Sequence, residues 1–270
     1  MNNLFSVDGK VVVITGGGGI LGRGMAEYMC SQGSKVVILD RSEEAGNKLV
    51  NELLAKGYDS MFLYCDVLDN EVLEQNSKDI VAKYGRIDVL VNAAGGNMPG
   101  ATVGPNQTIF DLQIDSFKKV VDLNLFGTVM PTMVFAKVMV EQKKGSIINI
   151  SSESALRPLT RVVGYGASKA AVTNFTQYLA SELAIKFGEG LRVNAMAPGF
   201  FLTEQNRTLM TNPDGSLTAR GNAIIAHTPF GRFGSPDELF GTLQWLASDA
   251  SKFVTGTLTV IDGGFDVYSI

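Results

Sequence analysis

The sequence predicts an α/β fold in which one doubly wound parallel sheet carries helices on both faces. Three observations predict it. Short apolar, β-branched runs alternate with longer amphipathic stretches almost from end to end. The runs are apolar throughout instead of alternating, as expected of strands covered on both sides. At 270 residues, 45% hydrophobic and 19% charged, the chain has the make-up of one large-core domain, not of a disordered or fibrous protein.

Val11-Val12-Val13-Ile14 makes 10–15 the first strand, and a glycine turn hands it to an amphipathic helix over 21–32. Strands follow at 35–39, 60–65 and 87–91, separated by helices over 43–56 and 70–83. A long helix over 116–142 leads to strand 146–150, and a helix over 165–187 leads to strand 191–195. Helix 236–248 precedes the last of about seven strands, 258–261. Repeated strand–helix units with right-handed crossovers wind the sheet in both directions.

Two stretches resist this pattern and are predicted as loops. Residues 95–115 contain Gly-Gly-Asn-Met-Pro-Gly and Gly-Pro-Asn, and 198–229 contain the turn Asn212-Pro213-Asp214-Gly215. Both follow strands, at the carboxyl edge where open α/β sheets bind ligands. The expected organisation is a single domain over 1–270 with a substrate lid around 198–229.

Charge and composition exclude several classes of function. Lys plus Arg number 23 against 27 acids, a net charge of −4, which argues against a nucleic-acid partner. Two cysteines, Cys30 and Cys65, make no disulfide framework, and a reducing compartment is the default. Residues 1–10 show no signal-peptide pattern. No apolar run approaches the roughly 20 residues that cross a bilayer. A lone His227 argues against a His-based metal site and against a Ser-His-Asp triad. The expectation is a cytoplasmic protein with no metal and no membrane partner.

The first strand, Gly16 to Gly19 and the helix behind them form a dinucleotide site on paper. Glycine lets backbone approach a pyrophosphate, and the helix N-terminus at Ile20, Leu21 and Gly22 offers unpaired N–H groups. Asp40 closes the second strand 18 residues beyond Gly22. A carboxylate there accepts both ribose hydroxyls and repels a 2′-phosphate, which selects NAD over NADP. Arg41, beside it, is the group that could pair with that phosphate. Asp66, with Val67 after it, is a candidate for the adenine, or else a helix N-cap. Asn92-Ala93-Ala94-Gly95 ends the fourth strand with small residues that let backbone pass close to the cofactor.

Tyr165 and Lys169 stand four apart at the start of a helix and so share one face. Free tyrosine, with a pKa of about 10, is a poor base at neutral pH. A cation about 4 Å away at an effective dielectric of about 20 favours phenolate by roughly 4 kcal/mol. That would bring the phenol to near 7, where it exchanges protons in both directions.

With these spacings in hand, the sequence resembles the short-chain dehydrogenase/reductase family over essentially all of its length. That resemblance implies a Rossmann-type fold and a catalytic set of Asn124, Ser152, Tyr165 and Lys169. Ser152 lies 13 residues before Tyr165. It also implies that Pro198, Gly199 and Thr203 hold the nicotinamide, and that Lys169 and Tyr165 touch the cofactor ribose. Asn124 would seat a water in the proton relay, and Asp262-Gly263-Gly264 matches the closing motif. The resemblance further implies a homotetramer, with the helices around Asn124 and Tyr165 packed between subunits. Two departures stand out. The family's middle glycine is Ile20 here, so the glycines fall as Gly16, Gly19 and Gly22, and Ala93 replaces a frequent second asparagine.

The substrate wall is polar. Arg157 and Arg161 lie between Ser152 and Tyr165, and Glu204, Gln205, Asn206 and Arg207 follow Thr203. Arginine suits a carboxylate because its fork binds both oxygens. A sugar acid fits these groups best, with Asn97, Arg157, Arg161, Arg207 and His227 as candidate contacts. The strings around Asn97, 157–161, 198–207 and 226–229 resemble those of the bacterial D-mannonate oxidoreductases within this family. They imply interconversion of D-fructuronate and D-mannonate with NAD. The alternative is reduction of another ketone, such as a ketogluconate, a polyol precursor or a 3-oxoacyl thioester. A nucleotide-sensing module without turnover would be expected to lack Tyr165 or Lys169, and both are present.

Overall fold

The computed structural model describes residues 3–204 and 206–269. Its centre is one seven-stranded parallel sheet in the order β3-β2-β1-β4-β5-β6-β7. The strands are β1 (Val11–Thr15), β2 (Lys35–Asp40), β3 (Ser60–Tyr64), β4 (Val89–Asn92), β5 (Gly145–Ile150), β6 (Leu191–Pro198) and β7 (Leu258–Ile261). All seven predicted strands are present. The order reverses direction between β1 and β4, which opens a crevice at their carboxyl ends.

Successive strand residues point to opposite faces, so each apolar strand feeds two cores. Val12 and Ile14 join Met25, Met29, Leu49, Leu53, Leu243 and Leu246 on one side. Those residues come from α1 (Ile20–Ser31), α2 (Glu43–Ala55) and α9 (Phe240–Ala247). Val11 and Val13 join Leu73, Ile80, Phe135, Met139, Leu179 and Leu183 on the other. That face is built by α3 (Asn70–Tyr84), α5 (Gly127–Gln142) and α6 (Val163–Phe187).

Four expectations are corrected. The long helix begins earlier, as α4 (Ile114–Val121), and joins α5 through a π turn over Asp122–Phe126. Together, Ile114–Gln142 make a helix of 29 residues, long and apolar enough to cross a membrane by length and composition. Charged residues at its start hide this from a search for uninterrupted apolar runs. Val120, Asn124, Phe135 and Met139 are nonetheless buried in the fold, so it is a core helix. The 95–115 stretch holds two single 3₁₀ turns, Pro99–Ala101 and Ile109–Asp111. The lid stretch holds two helices, α7 (Arg207–Met210) and α8 (Ala219–Ala226), the second capped by the Thr218 hydroxyl accepting from the Gly221 N–H.

Candidate active site

A cleft of about 590 Å³ lies along the carboxyl ends of β1, β2, β4, β5 and β6. Gly16, Gly19, Ile20, Leu21, Gly22, Asp40, Arg41, Asp66 and Val67 line one end of it. Ala93, Ala94, Gly95, Ser152, Tyr165, Pro198, Gly199 and Thr203 line the rest.

The glycine loop is built by close approach. Gly16 has a φ of +64°, and a Cβ there would stand 2.8 Å from Ala94 Cα. A Cβ on Gly22 would stand 2.2 Å from the Gly16 carbonyl oxygen. Gly19 is the N-cap and brings no side chain, and the first turn of α1 carries no acid. The N–H groups at that helix end therefore face the cleft free for an anion, which fits a pyrophosphate. Ile20 is the first helical residue, with its side chain exposed at the cleft, so the missing glycine leaves the cradle intact.

The Asp40 carboxylate accepts from the Gly18 N–H at 2.9 Å and from the Ser42 N–H at 2.8 Å. It thus ties the glycine loop to the end of β2 while facing the cleft. Arg41 lines the cleft beside it and is exposed. Asp66 is not the cap of α3. That position is taken by Asp69, whose side chain accepts from the Glu71 and Val72 N–H groups. Asp66 is left facing the cleft, with one oxygen accepting from the Leu68 N–H. Asn92 is a correction. Its side chain is buried and donates to Thr132 Oγ1 and Asn149 Oδ1, both at 2.8 Å, away from the cleft. The backbone of Ala93 and Ala94 passes the cleft instead, held by the Thr15 hydroxyl.

The candidate catalytic groups converge where β5 ends and α6 begins. Ser152 caps a 3₁₀ turn over Glu153–Ala155, and Tyr165 sits one residue beyond Gly164 in the first turn of α6. The Lys169 ammonium lies 5.5 Å from the Tyr165 ring centre and donates to the Ile150 carbonyl at 2.7 Å. Burial pulls the Lys169 pKa down to about 8. Burial also pushes the Tyr165 phenol up, while the facing Ser152 hydroxyl works against that rise. This corrects the expected fall: desolvation of the phenol outweighs an ammonium that is itself buried and shared with a carbonyl. Asn124 is likewise more occupied than expected. Its Nδ2 donates to the Gly96 and Val120 carbonyls at 2.7 and 2.8 Å, and its Oδ1 accepts from the Gly96 N–H at 3.1 Å. The side chain clamps the β4 loop to the π turn and has no donor left for a water.

The candidate substrate contacts are dispersed. Arg157 is held by the C-terminal segment, with Nε 3.1 Å from Asp266 Oδ1 and Nη1 donating to the Tyr268 carbonyl at 3.4 Å. His227 closes α8, with Nδ1 2.9 Å from the Ala223 carbonyl and its ring edge-on to Tyr268. Both are removed from the cleft lining by these structural duties. Asn97 is exposed outside the cleft and donates to Thr102 Oγ1 at 3.0 Å. Arg161 and Arg207 are exposed, and Gln205 lies outside the described residues. The polar wall is also more aromatic than expected, because Phe200 and Phe201 line the cleft with Asn206. Asn206 shapes this wall, accepting from the Thr203 N–H and donating to the Phe201 carbonyl, both at 2.8 Å.

Comparison with known proteins points to one family. Residues 10–214 match the short-chain dehydrogenase family. An uncharacterized oxidoreductase of Bacillus subtilis, UxuB, is 44% identical, covering 97% of this chain and 96% of its own. A Haemophilus influenza structure with bound NAD, named as a D-mannonate oxidoreductase, is 37% identical with a TM-score of 0.92, covering 99% of both chains. A 3-oxoacyl-[acyl-carrier-protein] reductase of Synechocystis is 32% identical, covering 96% of this chain and 98% of its own. The protein belongs to the short-chain dehydrogenase family and is an oxidoreductase.

Proposed function

We propose that the protein interconverts D-fructuronate and D-mannonate with NAD as cofactor. The observation that carries this reading is the likeness to the NAD-bound D-mannonate oxidoreductase structure, close in fold and covering nearly the whole of both chains. Asp40, held at the cleft by two N–H groups, supports NAD as the partner of this site.

The fit to a dinucleotide rests on the glycine cradle and the uncapped helix end. Gly16, Gly19 and Gly22 with the start of α1 would hold the pyrophosphate, Asp40 the adenosine ribose, and Pro198, Gly199 and Thr203 the nicotinamide end. When bound, the nicotinamide gives or takes hydride at the substrate carbon. Ser152 orients the substrate oxygen by a hydrogen bond. Tyr165 Oη gives its proton to that oxygen in reduction and takes it back in oxidation. Lys169 stabilises the phenolate left behind and contacts the cofactor ribose. Asn124 keeps the Gly95–Gly96 backbone in place beside them. The lid over 198–229 closes the substrate end, and the work is done in the cytoplasm, where Cys30 and Cys65 stay reduced and buried.

A homotetramer accompanies this reading. Phe126 and Met133 on the long helix, and Val163, Tyr178 and Ile185 on α6, are exposed apolar side chains suited to subunit contact. A solution mass of four chains supports it, and a monomer at assay concentration removes it.

The test is NADH oxidation on D-fructuronate beside 5-ketogluconate and an acetoacetyl thioester, repeated with NADPH. Turnover of D-fructuronate with NADH well above the other pairs is expected; turnover of the thioester alone overturns the substrate reading. Asp40→Ala should raise KM for NADH by about 10- to 100-fold, the loss of charge-assisted hydrogen bonds to a ribose. It should also raise the NADPH-to-NADH ratio of kcat/KM, and an unchanged ratio would remove Asp40 from cofactor choice.

A further inference from the structure

The segment after β7 ties three parts of the substrate end together. At its root the Gly199 N–H donates to the Ile261 carbonyl at 2.9 Å, and a Cβ on Gly199 would stand 2.6 Å from Asp262 Cβ. The Asp262 carboxylate then bends the chain, accepting from the Gly264 N–H at 2.8 Å and the Asp266 N–H at 2.6 Å. Past this bend the segment is clasped to Arg157, just beyond the 3₁₀ turn that Ser152 caps. Asp266 Oδ1 stands 3.1 Å from Arg157 Nε, and the Tyr268 carbonyl accepts from Arg157 Nη1 at 3.4 Å. The segment also holds the end of the lid. The Phe230 N–H donates to the Gly263 carbonyl at 3.1 Å, and the His227 ring lies 6.3 Å from that of Phe265 and 6.1 Å from that of Tyr268.

Phe265 is where this segment meets the cleft wall. Its ring packs edge-on against Phe200, with the ring centres 5.1 Å apart. Phe200 lines the cleft together with Ser152 and Tyr165. It also borders a second cavity of about 80 Å³, shared with Phe201, Phe230, Ile261 and Asp262. A side chain beside a void has no partner atoms on that flank and has room to turn. Open space thus flanks the Phe200 ring on the cleft side and on the side of the second cavity, and Phe265 is the ring packed on it.

We propose that Phe265 is a positioning residue: it fixes the Phe200 ring as the wall against which a substrate lies while its carbonyl meets Ser152 and Tyr165. The ion pair of Arg157 with Asp266 keeps Phe265 in place. The role concerns any ketone this oxidoreductase takes, so it stands apart from the D-fructuronate reading.

The test is a double-mutant cycle on Phe200→Leu and Phe265→Leu. It uses whichever of D-fructuronate, 5-ketogluconate and the acetoacetyl thioester wild type reduces fastest. Phe265→Leu should raise KM for that ketone by about 5- to 10-fold, the worth of one aromatic pair, and leave kcat within about twofold. Phe265→Tyr, which keeps the ring, should restore most of the loss. In the Phe200→Leu background, Phe265→Leu should move KM by less than about twofold, because the path to the substrate is already cut. A generally loosened fold would not make the effect depend on Phe200. NADH binding followed by fluorescence checks that each variant is folded. An unchanged KM in folded Phe265→Leu, or effects that simply add, overturns the proposal. Hydrogen exchange without substrate gives a second readout. Backbone amides of residues 199–201 should exchange about 5- to 10-fold faster in Phe265→Leu, with those of β1 and β4 unchanged. If wild type reduces none of the three ketones, the D-fructuronate reading falls and exchange alone decides: equal rates at 199–201 in the two proteins overturn the proposal.

Discussion

Tyr165→Phe should lower kcat for ketone reduction by roughly 10³-fold, the usual worth of a positioned proton donor. The reason lies in how the cleft distributes its titratable groups. The Asp40 carboxylate is engaged by the Gly18 and Ser42 N–H groups, and Asp66 accepts from the Leu68 N–H. Tyr165 is the lining group beside Ser152 whose hydroxyl can part with a proton. Phenylalanine keeps the ring, its burial and its packing on Lys169, so NADH binding should stay within a few-fold of wild type. Stopped-flow turnover and an NADH fluorescence titration on the same preparation separate the two effects. A variant that keeps more than a tenth of wild-type turnover would take the proton away from Tyr165. The raised phenol adds a detail. Without bound partners the group rests protonated at neutral pH, the form that donates a proton in reduction.

Glu153→Gln should make the protein more resistant to unfolding at pH 8, by an amount that shrinks as pH falls. Glu153 follows Ser152 in the sequence, is buried, and has no hydrogen-bond partner for either carboxylate oxygen. Burial, with Asp266 and Asp262 facing it from the C-terminal segment, pushes its pKa up from 4.5 to about 7, and Arg157 only partly offsets them. The sign follows from linkage. The unfolded chain releases the proton as pH passes about 4.5, whereas the folded protein holds it until about 7. Stability from this group is therefore complete below about 4.5 and is lost as pH rises through 7. The full shift corresponds to about 3 kcal/mol. Between pH 5 and pH 8 the denaturation free energies of the two proteins should diverge by roughly 2–3 kcal/mol, glutamine gaining. Urea titrations at the two pH values measure this directly, and a constant difference between them would show that Glu153 is ionised in the fold.

Much of this was legible in the sequence because the signals are local. Short apolar runs mark every strand, β-branched in all but β3, and four-residue spacing puts Tyr165 and Lys169 on one helical face. What escaped depends on distant partners. β6 runs on to Pro198, beyond the predicted end, because Ala197 and Pro198 pair with Val260 and Ile261 of the last strand. Arg157 looks like a substrate ligand until Asp266, 109 residues away, claims its guanidinium. Asn92 sits at the right strand end, yet its side chain falls on the face turned toward Thr132 and Asn149.

The π turn at Asp122–Phe126 has a mechanical consequence of its own. An α-helix turns about 100° per residue, so one surplus residue rotates everything before it against everything after it by about that angle. The long helix is thereby two rods keyed at an offset: α5 directs Phe135 and Met139 into the sheet core, and α4 is free to present a different side. Removing one residue from the turn would straighten the rod and unkey it. Asn124 would swing off Gly96, and the floor beneath the reacting atoms would lose its fastening with Ser152, Tyr165 and Lys169 themselves unaltered.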